Sequence, residues 1–88
     1  MCRNIRVLHH FQPPTTPEEI QAASLQYVRK VSGLRAPTKA DTEAFERAVA
    51  EITEATTRLL HTLPERNEPR TREGEMEKAK KRWAMRSR

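Results

Sequence analysis

The clearest pattern of hydrophobic positions begins just after Thr16 and repeats at helical spacing. Its members lie on one face of an α-helix: Ile20, Ala23, Ser24, Tyr27, Val28 and Val31. Thr16, Pro17 and Glu19 together are typical of a helix start with a capping box. Gly33 is typical of a helix end, because glycine adopts the left-handed conformation without a steric cost. The pattern therefore predicts a helix over 17–32.

A second and longer apolar stripe follows Pro37. Its members again share one helical face: Phe45, Ala48, Val49, Ile52, Thr56, Leu59, Leu60 and Leu63. With Thr38 or Asp41 as its cap and Pro64 as its end, the stripe predicts a helix over 39–63. Such a helix spans roughly 38 Å, against about 24 Å for the first helix. We therefore expect the overhang to meet the N-terminal segment, the C-terminal tail or another chain.

The segments after the second stripe carry weaker patterns. Residues 64–75 combine prolines, one glycine and many charges, which indicates a linker. Beyond them, Met76, Ala79 and Trp83 share a helical face and predict a third helix of marginal stability over 75–85.

The first residues of the chain are apolar enough to pack against these helices. They favour either a short helix capped by Asn4 or an extended strap. The fold predicted is therefore all-α. A helical hairpin with an N-terminal strap occupies 1–63, and a linker with a basic, partly ordered tail occupies 64–88.

Length and composition narrow the function. The chain has 88 residues with 5% aromatics, and a domain of this size buries only about 60% of its unfolded surface. A large enzyme core is therefore excluded. A membrane span is excluded because no stretch approaches the roughly 18 apolar residues that it needs. The sequence also has no phosphate-binding glycine loop and no convincing acid/base pair. The single cysteine allows no internal disulfide, so we expect a cytoplasmic protein.

Positive charge is concentrated in the tail. The net charge is +5, and 65–88 holds nine basic and five acidic residues, against eight and seven in 1–64. Lysine and arginine attract phosphates, and an aromatic ring stacks on a base. The pattern predicts contact with an acidic partner such as nucleic acid, through Arg29, Lys30, Arg35, Lys39, Lys78, Lys80, Lys81, Arg82 and Trp83. The alternative is a solvated tail that maintains solubility.

The turn between the first two helices offers a further hypothesis. The run 31–34, Val-Ser-Gly-Leu, resembles half of a helix-hairpin-helix loop, in which glycine amides approach a phosphate. The second glycine of that loop is missing, since Arg35 and Ala36 follow. The alternative interpretation is a plain helix C-cap.

Cys2 is the basis of a different hypothesis. If Met1 is removed, its amine and thiol together can chelate a transition metal such as zinc, or the thiolate can act as a nucleophile. His9 and His10 can supply imidazole ligands to the same ion. The alternative is that Cys2 is a small buried hydrophobe.

Several strings resemble domain-of-unknown-function family 2277, a family of small, mainly bacterial proteins. They are the opening Met-Cys-Arg-Asn-Ile-Arg, the pair Pro13-Pro14, the triplet Glu18-Glu19-Ile20 and the run Leu-Gln-Tyr-Val-Arg-Lys-Val-Ser-Gly at 25–33. The resemblance covers about 1–63 and implies no activity, ligand or catalytic residue.

Three functions therefore remain open on the sequence. The leading expectation is a non-enzymatic accessory protein whose basic surface binds nucleic acid without sequence specificity. The alternatives are a metal or thiol redox site at Cys2 on a helical scaffold, and a helix-mediated adaptor that forms a dimer or binds another protein.

Overall fold

Three helices make up the fold, in the computed structural model that describes residues 5–86. They are α1 (Pro17–Ser32), α2 (Thr42–Thr62) and α3 (Arg72–Arg86). The described part of the chain contains no strand, and the predicted all-α class is confirmed.

The first helix has the bounds that the sequence predicts, because both of its ends are specified locally. The Thr16 hydroxyl accepts a hydrogen bond from the Glu19 amide at 3.2 Å, and the Glu19 carboxylate accepts one from the Thr16 amide at 2.9 Å. At the other end Gly33 has φ +73°, and its amide donates to the Arg29 carbonyl at 3.0 Å. The capping box and the glycine C-cap are both formed.

The second helix begins three residues later than predicted, because 39–41 form a turn. The Asp41 amide donates to the Thr38 carbonyl at 3.0 Å, and the Thr38 hydroxyl donates to the Asp41 carboxylate at 2.6 Å. Asp41 holds the N-cap position without capping a helix amide, since its carboxylate binds Thr38.

The hydrophobic core lies between α1 and the first half of α2. Its buried apolar side chains are Ile20, Val28, Phe45 and Val49. Ser24 is buried among them, and its hydroxyl donates to the Ile20 carbonyl at 2.9 Å. At the far end of α2, Leu59 remains 54% exposed and Leu63 39% exposed. The overhang expected from the unequal helix lengths is therefore present.

An extended strap precedes α1, which decides between the two predicted conformations for the described residues. The strap pairs with the segment before α3 through one parallel bridge between Phe11 and Arg70. The Gln12 amide donates to the Arg70 carbonyl at 2.9 Å, and the Arg70 amide donates to the His10 carbonyl at 2.8 Å. The segment expected to be a linker is thus tied to the N-terminal end of the domain.

The third helix begins at Arg72 rather than 75, because Thr71 caps it. The Thr71 hydroxyl accepts a hydrogen bond from the Gly74 amide at 3.0 Å. Among the helices described, only α1 and α2 pack against each other, and all side chains of 76–86 are exposed. We call 76–86 the arm. No helix in the described range is long and apolar enough to cross a membrane.

Candidate functional site

The basic side chains fall into two groups that the sequence alone does not separate. One group forms ion pairs: Arg47 with Glu43 (2.8 Å), Arg58 with Glu54 (2.7 Å), Arg72 with Glu19 (2.7 Å), Arg70 with Glu75 (3.3 Å) and Lys78 with Glu75 (3.8 Å). Of the bases predicted to bind nucleic acid, only Lys78 belongs to this group, at the longest distance. The others form no ion pair with any carboxylate in 5–86.

The first set of predicted bases surrounds the end of α1, and we call it the turn set. Arg29 and Lys30 lie in the last turn of α1, while Arg35 and Lys39 are exposed in the connection to α2. Arg29 is half-buried, and its Nε atom is enclosed without a hydrogen-bond partner among the described residues. The turn set therefore concentrates positive charge where the helix dipole is negative, a placement that stabilises α1.

The glycine of this turn does not supply a phosphate-binding amide. The Gly33 N–H already donates to the Arg29 carbonyl at 3.0 Å, and the Leu34 amide donates to the Ser32 hydroxyl at 3.1 Å. The half helix-hairpin-helix hypothesis is therefore wrong, and the turn is a helix C-cap.

The second set of predicted bases lies on the arm. Its eleven residues include five basic side chains and one acidic one, which is Glu77. Trp83 is 53% exposed and Met76 50% exposed, on the helix face that also carries Ala79. Since no residue of the arm is buried, the arm projects from the rest of the molecule. Its bases occupy the helix faces other than that of Met76, Ala79 and Trp83.

The arm is anchored by Arg72, whose guanidinium joins the strap to α1. It donates to both carboxylate oxygens of Glu19, at 2.7 and 3.1 Å, and to the Pro13 carbonyl at 2.8 Å. Its central carbon lies 5.3 Å from the centroid of the Phe11 ring, which adds a cation–π contact. The hydrogen bonds from Arg72, followed by that from Thr16, lower the pKa of Glu19 from its ordinary value of 4.5 to about 2.

A second contact holds the strap against the segment before α3, through the His10 ring. Its Nδ1 atom lies 2.9 Å from the Glu65 carboxylate, and its Nε2 atom lies 3.0 Å from the Asn67 carbonyl. Both ring nitrogens therefore face oxygen acceptors. The Arg70 guanidinium adds a hydrogen bond to the His9 carbonyl at 2.7 Å.

The predicted metal ligands do not form a cluster within the described range. Cys2 lies outside the described residues, so its role stays a prediction. The ring centroids of His9 and His10 are 6.0 Å apart and the rings are tilted by 44°, and each nitrogen of His10 has a protein oxygen within hydrogen-bonding distance, at 2.9 and 3.0 Å. The Nε2 atom of His9 is enclosed without a hydrogen-bond partner in 5–86. His10 would have to break an existing contact to bind a metal, and no three potential metal ligands lie together in 5–86.

The two basic sets are attached at opposite ends of α1. The turn set follows its last turn, while Arg72 anchors the arm at Glu19 in its first turn. The sixteen residues of α1 span about 24 Å. The pairing of Arg72 with Glu19 was not predictable from the sequence, because no local signal joins residues 53 positions apart.

Comparison with known proteins identifies one family. A family model described as "Uncharacterized conserved protein (DUF2277)" matches residues 1–78. The match includes the strap, α1, α2 and the turn set, and it ends within the arm, before Lys80. No curated protein and no solved structure matches the chain.

Proposed function

The chain belongs to the DUF2277 family of uncharacterized conserved proteins, and from its own surface we propose that it is a non-enzymatic accessory protein that binds nucleic acid without sequence specificity. The observation that carries the proposal is the arm, a projecting helix with five bases, one acid and a half-exposed Trp83. We place the protein in the cytoplasm, because its single cysteine allows no internal disulfide.

Most bases of the arm are not ion-paired, which supports binding to phosphates. A base that is paired with a carboxylate must lose that partner before it binds a phosphate, whereas Lys80, Lys81 and Arg82 have no described carboxylate to lose. Each phosphate that a lysine or arginine neutralises releases condensed counterions, and this release is a large part of non-specific affinity. The arm is therefore suited to a polyanion, with Trp83 placed to stack on a base.

The turn set supplies a second contact in this proposal. Arg29, Lys30, Arg35 and Lys39 lie within one helix end and the connection that follows it. Because this end is separated from the arm anchor by the length of α1, one extended polyanion would have to follow the molecule to reach both sets. We assign the arm the larger share of the affinity, since it holds more bases and exposes all of them.

The experiment compares the salt dependence of binding for two double variants that each remove two positive charges. Lys81→Gln with Arg82→Gln changes the arm, and Arg47→Gln with Arg58→Gln changes two bases already paired on α2. Binding of a fluorescent mixed-sequence oligonucleotide is measured by anisotropy between about 50 and 200 mM salt. We expect the slope of log K against log salt to shrink by about 2 for the arm variant and by under about 0.5 for the control. Equal slopes for the two variants, or no binding by the unchanged protein at low salt, would overturn the proposal.

The end of α2 favours helix-mediated assembly as a second candidate function. Leu59 lies in the last turn of α2 and Leu63 is the C-cap residue that follows it, and their side chains are 54% and 39% exposed. A second copy or another protein that covers this end of α2 would bury both side chains. If a homodimer forms, the melting temperature should rise over about a hundredfold increase in protein concentration. A melting temperature that is constant over this range would contradict the homodimer.

A further inference from the structure

We infer that the arm binds in the major groove of duplex DNA as an α-helix and becomes more helical when it does so. This inference rests on the proposed function and adds the form of nucleic acid that the arm recognises. It also assigns a role to the projection of the arm from the domain.

The arm has the shape of a helix that fits the major groove. Eleven helical residues span about 16 Å, and a helix with its side chains is about 10–12 Å across. The major groove of B-form DNA is about 12 Å wide and admits one α-helix. A helix packed on a protein body would present one face only, but α3 packs on neither α1 nor α2 and the arm is exposed on every side.

The bases of the arm point in several directions around the helix. At 100° per residue, Lys80 and Arg82 point in directions about 160° apart, and Lys81 points between them on one side. A helix in the major groove has a phosphate backbone on each side of it, so bases on opposite faces contact both strands. A polyanion that lies along one face would use only part of this set.

The positive charges of the arm repel one another. Lys78, Arg82 and Arg86 follow each other at i,i+4 spacing, and like charges at that spacing destabilise a helix. A helix as short as α3 is of marginal stability in water, and none of its residues is buried. Phosphates that neutralise these bases remove the repulsion. The helix content of the arm should therefore increase on binding.

The geometry also separates duplex DNA from other nucleic acids. The major groove of A-form RNA is deep and narrow, so the arm would not enter it as a helix. A single strand has no groove, and binding to it would depend on charge and on stacking by Trp83. We expect the affinity for duplex DNA to exceed that for an RNA duplex or a DNA single strand of the same sequence, each by about tenfold.

The test uses the full chain with three probes of one sequence, namely a DNA duplex, an RNA duplex and a DNA single strand. Ala79→Pro breaks the helix at the start of the arm without changing its charge, because proline removes a helix hydrogen bond. Ala79→Ser is the matched control at the same position. Affinity is measured by anisotropy, and helix content is measured by circular dichroism with and without each probe.

We expect Ala79→Pro to weaken binding to the DNA duplex by about tenfold, and Ala79→Ser by less than about twofold. We also expect a gain of helix with the DNA duplex for the unchanged protein, and none for Ala79→Pro. Equal affinities for the three probes, or equal binding by the two variants, would overturn this inference while leaving the proposed function in place. Failure to bind any of the probes would overturn the proposed function itself.

Discussion

The α1–α2 hairpin and α3 are both helical, but different forces hold them in place. The hairpin buries Phe45 and Val49 against α1, and its apolar stripes run along most of each helix. By contrast, α3 has no buried residue, and its attachment depends on charged contacts around Arg72 in its first turn. A continuous apolar stripe allows a helix to pack in a core, whereas α3 has an apolar stripe of only three residues among many charges and projects from the domain.

The separation of these two regions suggests a division of roles. Folding stability comes from a core in which the buried apolar residues are few, and none of them lies on the arm. The unpaired arm bases can therefore be changed without removing a core contact. Substitutions in the core should therefore change stability more than substitutions elsewhere in the chain.

The largest expected effect is on the core. Phe45→Ala should lower the free energy of unfolding by about 3 kcal/mol, because it leaves a cavity in a small core. Leu59→Ala, on the same helix but 54% exposed, should cost less than about 0.5 kcal/mol. Urea denaturation followed by circular dichroism measures both. Similar losses for the two variants would mean that the core does not lie where we place it.

The anchor of α3 should have the next largest effect. Arg72→Ala removes the hydrogen bonds to Glu19 and Pro13, and should loosen the strap and the start of α3 locally. Hydrogen exchange of the Gln12 and Arg70 amides reports on this region, since both are hydrogen-bonded across the bridge. Their protection should fall, while Arg66→Ala, an exposed arginine of the same segment, should leave it unchanged. Unchanged protection in Arg72→Ala would remove Arg72 as the anchor.

Replacing the glycine in the turn between α1 and α2 should have a smaller effect on stability, which comes from the backbone conformation. Gly33 has φ +73°, and a Cβ atom added there would have no heavy atom within 4 Å. Gly33→Ala should therefore cost about 1 kcal/mol from left-handed strain alone. Gly33→Asn should cost less, because asparagine tolerates this conformation. An alanine variant as stable as the unchanged protein would contradict the strain argument.

The smallest expected effect is the pH dependence of the Glu19–Arg72 pair. Because folding lowers the pKa of Glu19 to about 2, its contribution to stability is complete above its ordinary value of 4.5. That contribution is lost as the pH falls from about 4.5 towards 2. The side chains of the pair are about one-third exposed, so solvent screening keeps the loss of stability small. The free energy of unfolding of Glu19→Gln should therefore fall less between pH 4.5 and 2 than that of the unchanged protein. The same decrease in both proteins would contradict the pairing.

Sequence reasoning succeeded where the signals were local. Thr16, Glu19 and Gly33 set the bounds of α1, because each acts on residues within four positions. The predicted start of α2 was wrong, since Thr38 binds the Asp41 carboxylate in a turn that precedes the helix. The predicted start of α3 was also wrong, since Gly74 is typical of a linker but its amide donates to the Thr71 hydroxyl in the first turn. The bridge between Phe11 of the strap and Arg70 joins positions far apart in the sequence, so no periodic pattern predicts it.

The sequence predicted which bases form the candidate site, but not which of them are ion-paired. The acid-free runs identified the bases, yet only the structure shows that Glu75 pairs with Lys78 while Lys80, Lys81 and Arg82 lack a described partner. That distinction depends on side-chain geometry rather than on spacing, because Glu77 and Lys81 also have the i,i+4 spacing of an ion pair and form none.

The most direct test of the central claim, that the arm binds nucleic acid, is an amide chemical-shift titration of the full chain with a short DNA duplex. We predict the largest shifts over 78–86, smaller shifts over 29–39, and almost none at the core amides of Val28 and Phe45. Shifts that are largest on the hairpin core, or absent throughout at low salt, would contradict the account.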